Sequence, residues 1–261
     1  MSLKDKRAVV LGCSAAGGSG WAIAEALAKA GAKVLVAARR LEPLTQLAEK
    51  IGGLAQACDA ADPHQIAQLA HTAQEAWGGL DIAVNCAALP VMGLIAESEV
   101  SPVQQALDVN YLANVHFVRQ MAALMGEGGS IVLISSSSAS QVVLPHFAYA
   151  CAKAASDCLV RYAALEYGPK GIRVNSILPG PIRSDLSREL FEVPGMEDVF
   201  AREVPLGRIG LPEDYADAVL WLCGPAYVTG LNLPVSGGNQ LTRSPRLDEL
   251  PQAEASWQEN S

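Results

Sequence analysis

The stretch Ala8-Val9-Val10-Leu11-Gly12-Cys13-Ser14-Ala15-Ala16-Gly17-Gly18-Ser19-Gly20-Trp21 governs how the rest of the chain is read. Residues 8–11 are apolar at every position, the pattern of a strand covered on both faces in a parallel sheet. Residues 21–30 form an Ala-rich run that reads as a helix stopped by Gly31. Between them, glycines let the backbone turn sharply and approach a pyrophosphate, and the helix start offers unpaired N–H groups to the anion. A glycine-rich turn is common by itself. Placed between the first strand and first helix of a βαβ unit it points to a dinucleotide, with Gly12, Ser14, Gly18, Ser19 and Gly20 as contacts.

The alternation continues. Further strands are expected at 33–37, 54–58, 81–84, 130–135, 173–177 and 231–235, and helices at 43–51, 63–77, 101–125, 149–167 and 212–223. Repeated strand–helix–strand units with right-handed crossovers predict an α/β fold. Residues 1–240 then form a single doubly wound, Rossmann-like domain with a seven-stranded parallel sheet. Residues 179–210 are punctuated by proline and glycine and read as a mobile segment over a site. Residues 241–261 are polar, carry Pro245 and Pro251, and read as a flexible tail.

Composition narrows the function. Half of the 261 residues are hydrophobic and 18% charged, enough for a large core without disulfide or metal staples. Lys+Arg 19 against Asp+Glu 27 gives a net charge of −8, the wrong sign for a nucleic-acid binder. No apolar run reaches the roughly 18 residues of a membrane span. The 6 cysteines, with no Cys-x-x-Cys, read as buried reduced thiols, and the 4 histidines lack ligand spacing, so no metal is expected. With an N-terminus that lacks a signal-peptide core, these features make the cytoplasm the expected location.

Two further motifs carry chemistry. The second strand runs into Ala37-Ala38-Arg39-Arg40. A carboxylate at that tip would bind the adenosine ribose of NAD, whereas arginine pairs with a 2′-phosphate through its planar fork. NADP(H) is therefore preferred, with NAD(H) left open. In Tyr149-Ala150-Cys151-Ala152-Lys153 the tyrosine and lysine share a helix face at i and i+4. An ammonium there would stabilise a phenolate whose ordinary pKa of about 10 makes proton exchange hard at neutral pH. A polar run, residues 135–140, precedes them.

Together these motifs resemble the short-chain dehydrogenase/reductase family over residues 6–240. The similarity includes Asn85-Cys86-Ala87-Ala88 after the fourth strand and Asn110 on the long helix. It extends to Ser136 thirteen residues before Tyr149, Pro179-Gly180 after the sixth strand, and the closing Val235-Ser236-Gly237-Gly238. The resemblance implies hydride transfer between nicotinamide and a ketone or secondary alcohol. Tyr149 would be the general acid/base and Lys153 would lower its pKa and hold the nicotinamide ribose. Ser136 would bind the substrate oxygen, and Asn110 would anchor a water leading from Lys153 to solvent. It also implies cofactor contacts at Asp59, Ala60, Asn85, Ala87, Pro179, Gly180, Ile182 and Ser184, a small-molecule partner, and a homotetramer or homodimer.

Two departures stand out. Five residues separate Gly12 from Gly18 where the family usually has three, and Ala88 replaces a glycine. The longer loop resembles the enoyl-reductase branch of the family, so reduction of an activated C=C is one alternative. A non-catalytic NADP(H)-binding regulator is another. The four-residue step from Tyr149 to Lys153 and the presence of Ser136 favour a carbonyl.

Overall fold

Four consecutive residues of β1 (Arg7–Leu11), Ala8 through Leu11, are buried, because helices cover the strand on both sides. The computed structural model of the chain describes residues 2–251. Around β1 stand β2 (Lys33–Ala38), β3 (Leu54–Ala57), β4 (Ile82–Asn85), β5 (Gly129–Ile134), β6 (Ile172–Pro179) and β7 (Asn232–Val235). All pair in parallel, in the order β3-β2-β1-β4-β5-β6-β7. The direction of winding reverses between β1 and β4, which opens a crevice at the C-terminal ends of those strands.

One face of the sheet is covered by α3 (Pro63–Trp77), α5 (Ala113–Leu124) and α6 (Phe147–Tyr167), through Ile66, Leu69, Phe117, Met121 and Val160. The other is covered by α1 (Ser19–Lys29), α2 (Leu41–Ile51) and α9 (Pro212–Cys223), through Ile23, Leu27, Leu44, Leu47 and Val219. Local chemistry sets the helix limits. Asp62 caps α3 by accepting the His64 and Gln65 N–H groups, Pro63 pre-sets the first turn, and Gly78 ends it at φ 71.

The expected helix over 101–125 is divided. α4 (Val100–Leu107) passes into a π-helical turn, Asp108–Leu112, before α5 resumes. The segment 179–210 forms α7 (Arg188–Glu192) and α8 (Met196–Arg202), as short as their punctuation suggested. The start of the expected tail is docked. Thr242 and Asn239 hydrogen-bond the carbonyl of Glu203, just after α8, and Arg243 pairs with the carboxylates of Glu203 and Glu249. The polarity read as a solvated tail thus serves contacts as far as Pro251; residues 252–261 lie outside the described residues. Burial of all the thiols also needs correction. Cys13, Cys58 and Cys223 are buried and Cys86 and Cys158 half-buried, but Cys151 is exposed.

Candidate active site

The crevice is built from backbone. Gly12 sits at φ +98 where β1 ends, and a methyl there would lie 2.5 Å from the Ala87 nitrogen. A methyl at Gly20 would lie 2.4 Å from the Gly12 carbonyl oxygen, so α1 packs directly on the end of β1. Gly18 is the N-cap of α1, without a side-chain cap, and no carboxylate lies in the first turn. The leading N–H groups of α1 are thus left for an anion. The two extra residues of the loop are absorbed in its exposed outer part, where Gly17 turns at φ +81 in open space. A glycine cradle with free N–H groups fits a pyrophosphate.

The other expected cofactor residues lie at or just beyond the C-terminal ends of the strands. Gly12 and Cys13 N–H groups bond the Ala37 carbonyl, so the loop lies against the tip of β2. There Arg39 and Arg40 are exposed, and Arg40 Nη2 donates to the Ser14 carbonyl at 3.0 Å. Asp59 follows β3, accepting the Ala61 N–H, and Ala60 is buried beside it. Asn85 ends β4 and its Oδ1 accepts the Ala87 N–H. Pro179 ends β6, and Gly180 packs so closely on Ser236 that a Cβ would meet it at 2.7 Å. Ile182 bridges to Gly210, and Ser187 Oγ bonds the Ile182 carbonyl while contacting Ser184 Oγ, which fixes the start of the segment carrying α7.

On the β5–α6 side stand the titratable groups. Ser136 follows β5, and its Oγ accepts both the Ser138 N–H at 3.2 Å and the Ser138 hydroxyl at 2.9 Å. A hydroxyl has two acceptor positions and one proton, so Ser136 is left with its proton to donate. It faces Tyr149, and this contact lowers the phenol's pKa. Burial acts the other way and dominates, pushing Tyr149 up to about 12. Lys153 is 1% exposed; its Nζ donates to the Ile134 carbonyl at 2.7 Å and lies 5.5 Å from the Tyr149 ring centre. Burial lowers Lys153 to about 8, partly opposed by Asp157 and Cys86.

Asn110 lies in the π turn and is fully buried. Its Nδ2 donates to the Leu89 and Ala106 carbonyls and its Oδ1 accepts the Leu89 N–H at 3.1 Å. The side chain therefore clamps the loop after β4. Its backbone carbonyl accepts Ser156 Oγ at 2.7 Å and Asn114 Nδ2 at 3.0 Å. Asn114 Oδ1 in turn accepts Asn85 Nδ2 at 2.7 Å. Asn114, Ser156 and Ser138 were missed in the sequence. A polar residue at the i+4 step from Asn110, on a helix face that is otherwise apolar, was the available signal for Asn114.

Met92, Leu94 and Ile95 after β4, Val142 and Leu144 before α6, and Leu186 after β6 expose apolar surface. His146, the N-cap of α6, is half-buried, edge-on to Tyr149 at 6.3 Å between ring centres, with its Nδ1 buried and unpaired among the described residues. The β-bridge between Gly93 and His146 draws it inward.

Comparison with known proteins agrees with this geometry. The family model that matches, described as enoyl-(acyl carrier protein) reductase, spans residues 12–240. The chain is 32% identical over 245 residues to D-erythrulose reductase of Gallus gallus, covering 91% of this chain and 97% of that protein. It is 34% identical over 251 residues to 7alpha-hydroxysteroid dehydrogenase of Escherichia coli K12, covering 91% and 95% respectively. A short-chain type dehydrogenase/reductase from Mycobacterium ulcerans superposes with a TM-score of 0.89 at 31% identity, over 94% of each chain. Similarity that runs nearly end to end in both sequence and fold makes the chain a member of the short-chain dehydrogenase/reductase family, oxidoreductases that interconvert CH–OH and C=O.

Proposed function

We propose that the protein is an NADP(H)-dependent carbonyl reductase and secondary-alcohol dehydrogenase in which Tyr149 is the general acid/base. The observation that carries this reading is the assembly of Ser136, Tyr149 and Lys153, with a spare serine proton and a buried lysine beside the same phenol. When bound, the nicotinamide supplies the hydride to carbonyl carbon or takes it from the alcohol. The residues handle the oxygen. Ser136 donates its proton to the substrate oxygen and orients it. Tyr149 Oη passes its own proton to that oxygen in reduction and takes it back in oxidation. With its pKa pushed up to about 12, Tyr149 keeps this proton at neutral pH and needs a neighbouring cation when it becomes phenolate. Lys153 is that cation while it stays charged, so reduction loses rate as pH rises through about 8.

The cofactor assignment rests on Arg39 and Arg40 and on the lack of a carboxylate at the tip of β2. Asn110 keeps Leu89 in place under the substrate. The exposed apolar mouth, with His146 as a polar contact, suits a bulky ketone. Tyr162 and Leu165 on α6 and Trp221 on α9 leave apolar surface for a homotetramer. Tyr149→Phe should bind NADPH as the wild type does, followed by fluorescence, and lose reduction of aryl and cyclic ketones by about 1000-fold. Normal turnover by this variant would refute the mechanism. The description of the matching family model favours a second reading, an enoyl reductase. One enone separates them: loss of the C=O absorption supports the first, loss of the C=C with the carbonyl intact the second.

A further inference from the structure

We propose that Asp157 is a positioning residue for Lys153, a buried carboxylate whose negative charge keeps the lysine's ammonium charged inside the protein. This rests on the roles assigned above to Tyr149 and Lys153. Tyr149, Lys153 and Asp157 stand at i, i+4 and i+8 on α6, so they form one stripe against the sheet. Lys153 is 1% exposed and Asp157 8%. The only hydrogen-bond acceptor of Lys153 among the described residues is the neutral Ile134 carbonyl. An ammonium buried against a neutral acceptor tends to shed its proton.

The groups around the lysine narrow the source of compensating charge. Cys86, from the loop after β4, faces it but remains a thiol, since burial pushes its pKa up to about 12. Tyr149 is also neutral at ordinary pH. Asp157 remains, and it is held in place from several sides. Ser176 Oγ of β6 lies 3.5 Å from its Oδ1 while donating to Asn232 Oδ1 at 2.9 Å, and the buried Ser135 hydroxyl just after β5 faces the carboxylate without a hydrogen-bond partner among the described residues. Its backbone carbonyl accepts Asn232 Nδ2 of β7 at 3.2 Å and Arg161 Nη1 of α6 at 3.1 Å. Burial raises the Asp157 pKa, while Ser135, Lys153, Ser176 and Arg161 pull it back toward the charged form. The Asn232 and Arg161 bonds to its backbone carbonyl would hold an asparagine equally well, so a purely structural role would survive loss of the charge.

The test reads Lys153 directly. Full-length protein carrying 13Cε-labelled lysine is titrated by NMR as wild type, Asp157→Asn, Asp157→Ser and Asp157→Glu, with Lys153→Met assigning the resonance. The Lys153 midpoint should fall by about one pH unit in Asp157→Asn and Asp157→Ser, the shift expected for losing a nearby opposite charge, and return in Asp157→Glu. The high-pH limb of ketone reduction should move the same way. A wild-type midpoint in either neutral variant overturns the proposal, as does loss of the folded state in both. If the midpoint moves but wild-type protein turns over no ketone, Asp157 keeps this role and the proposed function falls instead.

Discussion

Arg39 and Arg40 show how much a residue's setting adds to its type. Both stand exposed where β2 delivers the chain to the glycine loop, and Arg40 already reaches the Ser14 carbonyl. Arg40 can therefore hold the loop and face a phosphate at once, while no ion pair among the described residues occupies Arg39. A charge-assisted hydrogen bond contributes about 1.5–3 kcal/mol, so each Arg→Ala change should lower kcat/KM for NADPH by about tenfold or more. The value for NADH should stay within about twofold, as steady-state rates with the two cofactors will show. An equal loss with both would place the arginines in loop support alone.

At the scale of elements, the π turn Asp108–Leu112 is where helix geometry and site geometry meet. Widening the helix there turns the Asn110 carbonyl toward Ser156 and Asn114, and Asn114 carries the connection on to Asn85 at the end of β4. Asn114→Leu would leave the Asn85 amide and the Ser156 hydroxyl short of partners in a dry interior. It should cost about 3 kcal/mol, measured by urea unfolding, with a larger fall in kcat than in cofactor affinity. Much of the fold and part of the site were legible. All-apolar strands such as Ile131–Val132–Leu133 declare a covered sheet, and Pro63 and Pro212 mark helix starts because proline needs no N–H there. The π turn was not legible, since its apolar spacing matches that of an α-helix. Nor were Ser156 and Asp157, whose partners lie 46 and 19 residues away and meet them only once the sheet has formed.

For the whole molecule, the C-terminal segment packs behind α8, on the flank where the proposed function puts the substrate. Arg243 and Thr242 grip Glu203 behind α8, and a methyl at Gly195 would stand 3.7 Å from Pro251. Exposed ion pairs contribute at most about 1 kcal/mol each, so removing residues 242–261 should lower stability by only about 1–2 kcal/mol. It should raise KM for a ketone several-fold and leave that for NADPH unchanged. A matching rise in both would mean that the segment supports the whole domain instead. Its docking was illegible because polar side chains that pair with one another look the same in sequence as polar side chains facing water.

The reversal of strand order between β1 and β4 has a practical consequence. Strands β1 to β3 lead into Gly12, Arg39 and Asp59, the proposed adenosine side, while β4 to β7 carry Ser136, the start of α6 and the segment through α8. The halves share the β1–β4 pairing and one continuous core, with α1 against α9 and α3 against α5, and where β1 ends Gly12 lies against Ala87. A protein engineer can therefore recode the nucleotide preference at the strand ends of one flank and the substrate preference at those of the other, provided the shared core and the glycine where the flanks meet are left alone.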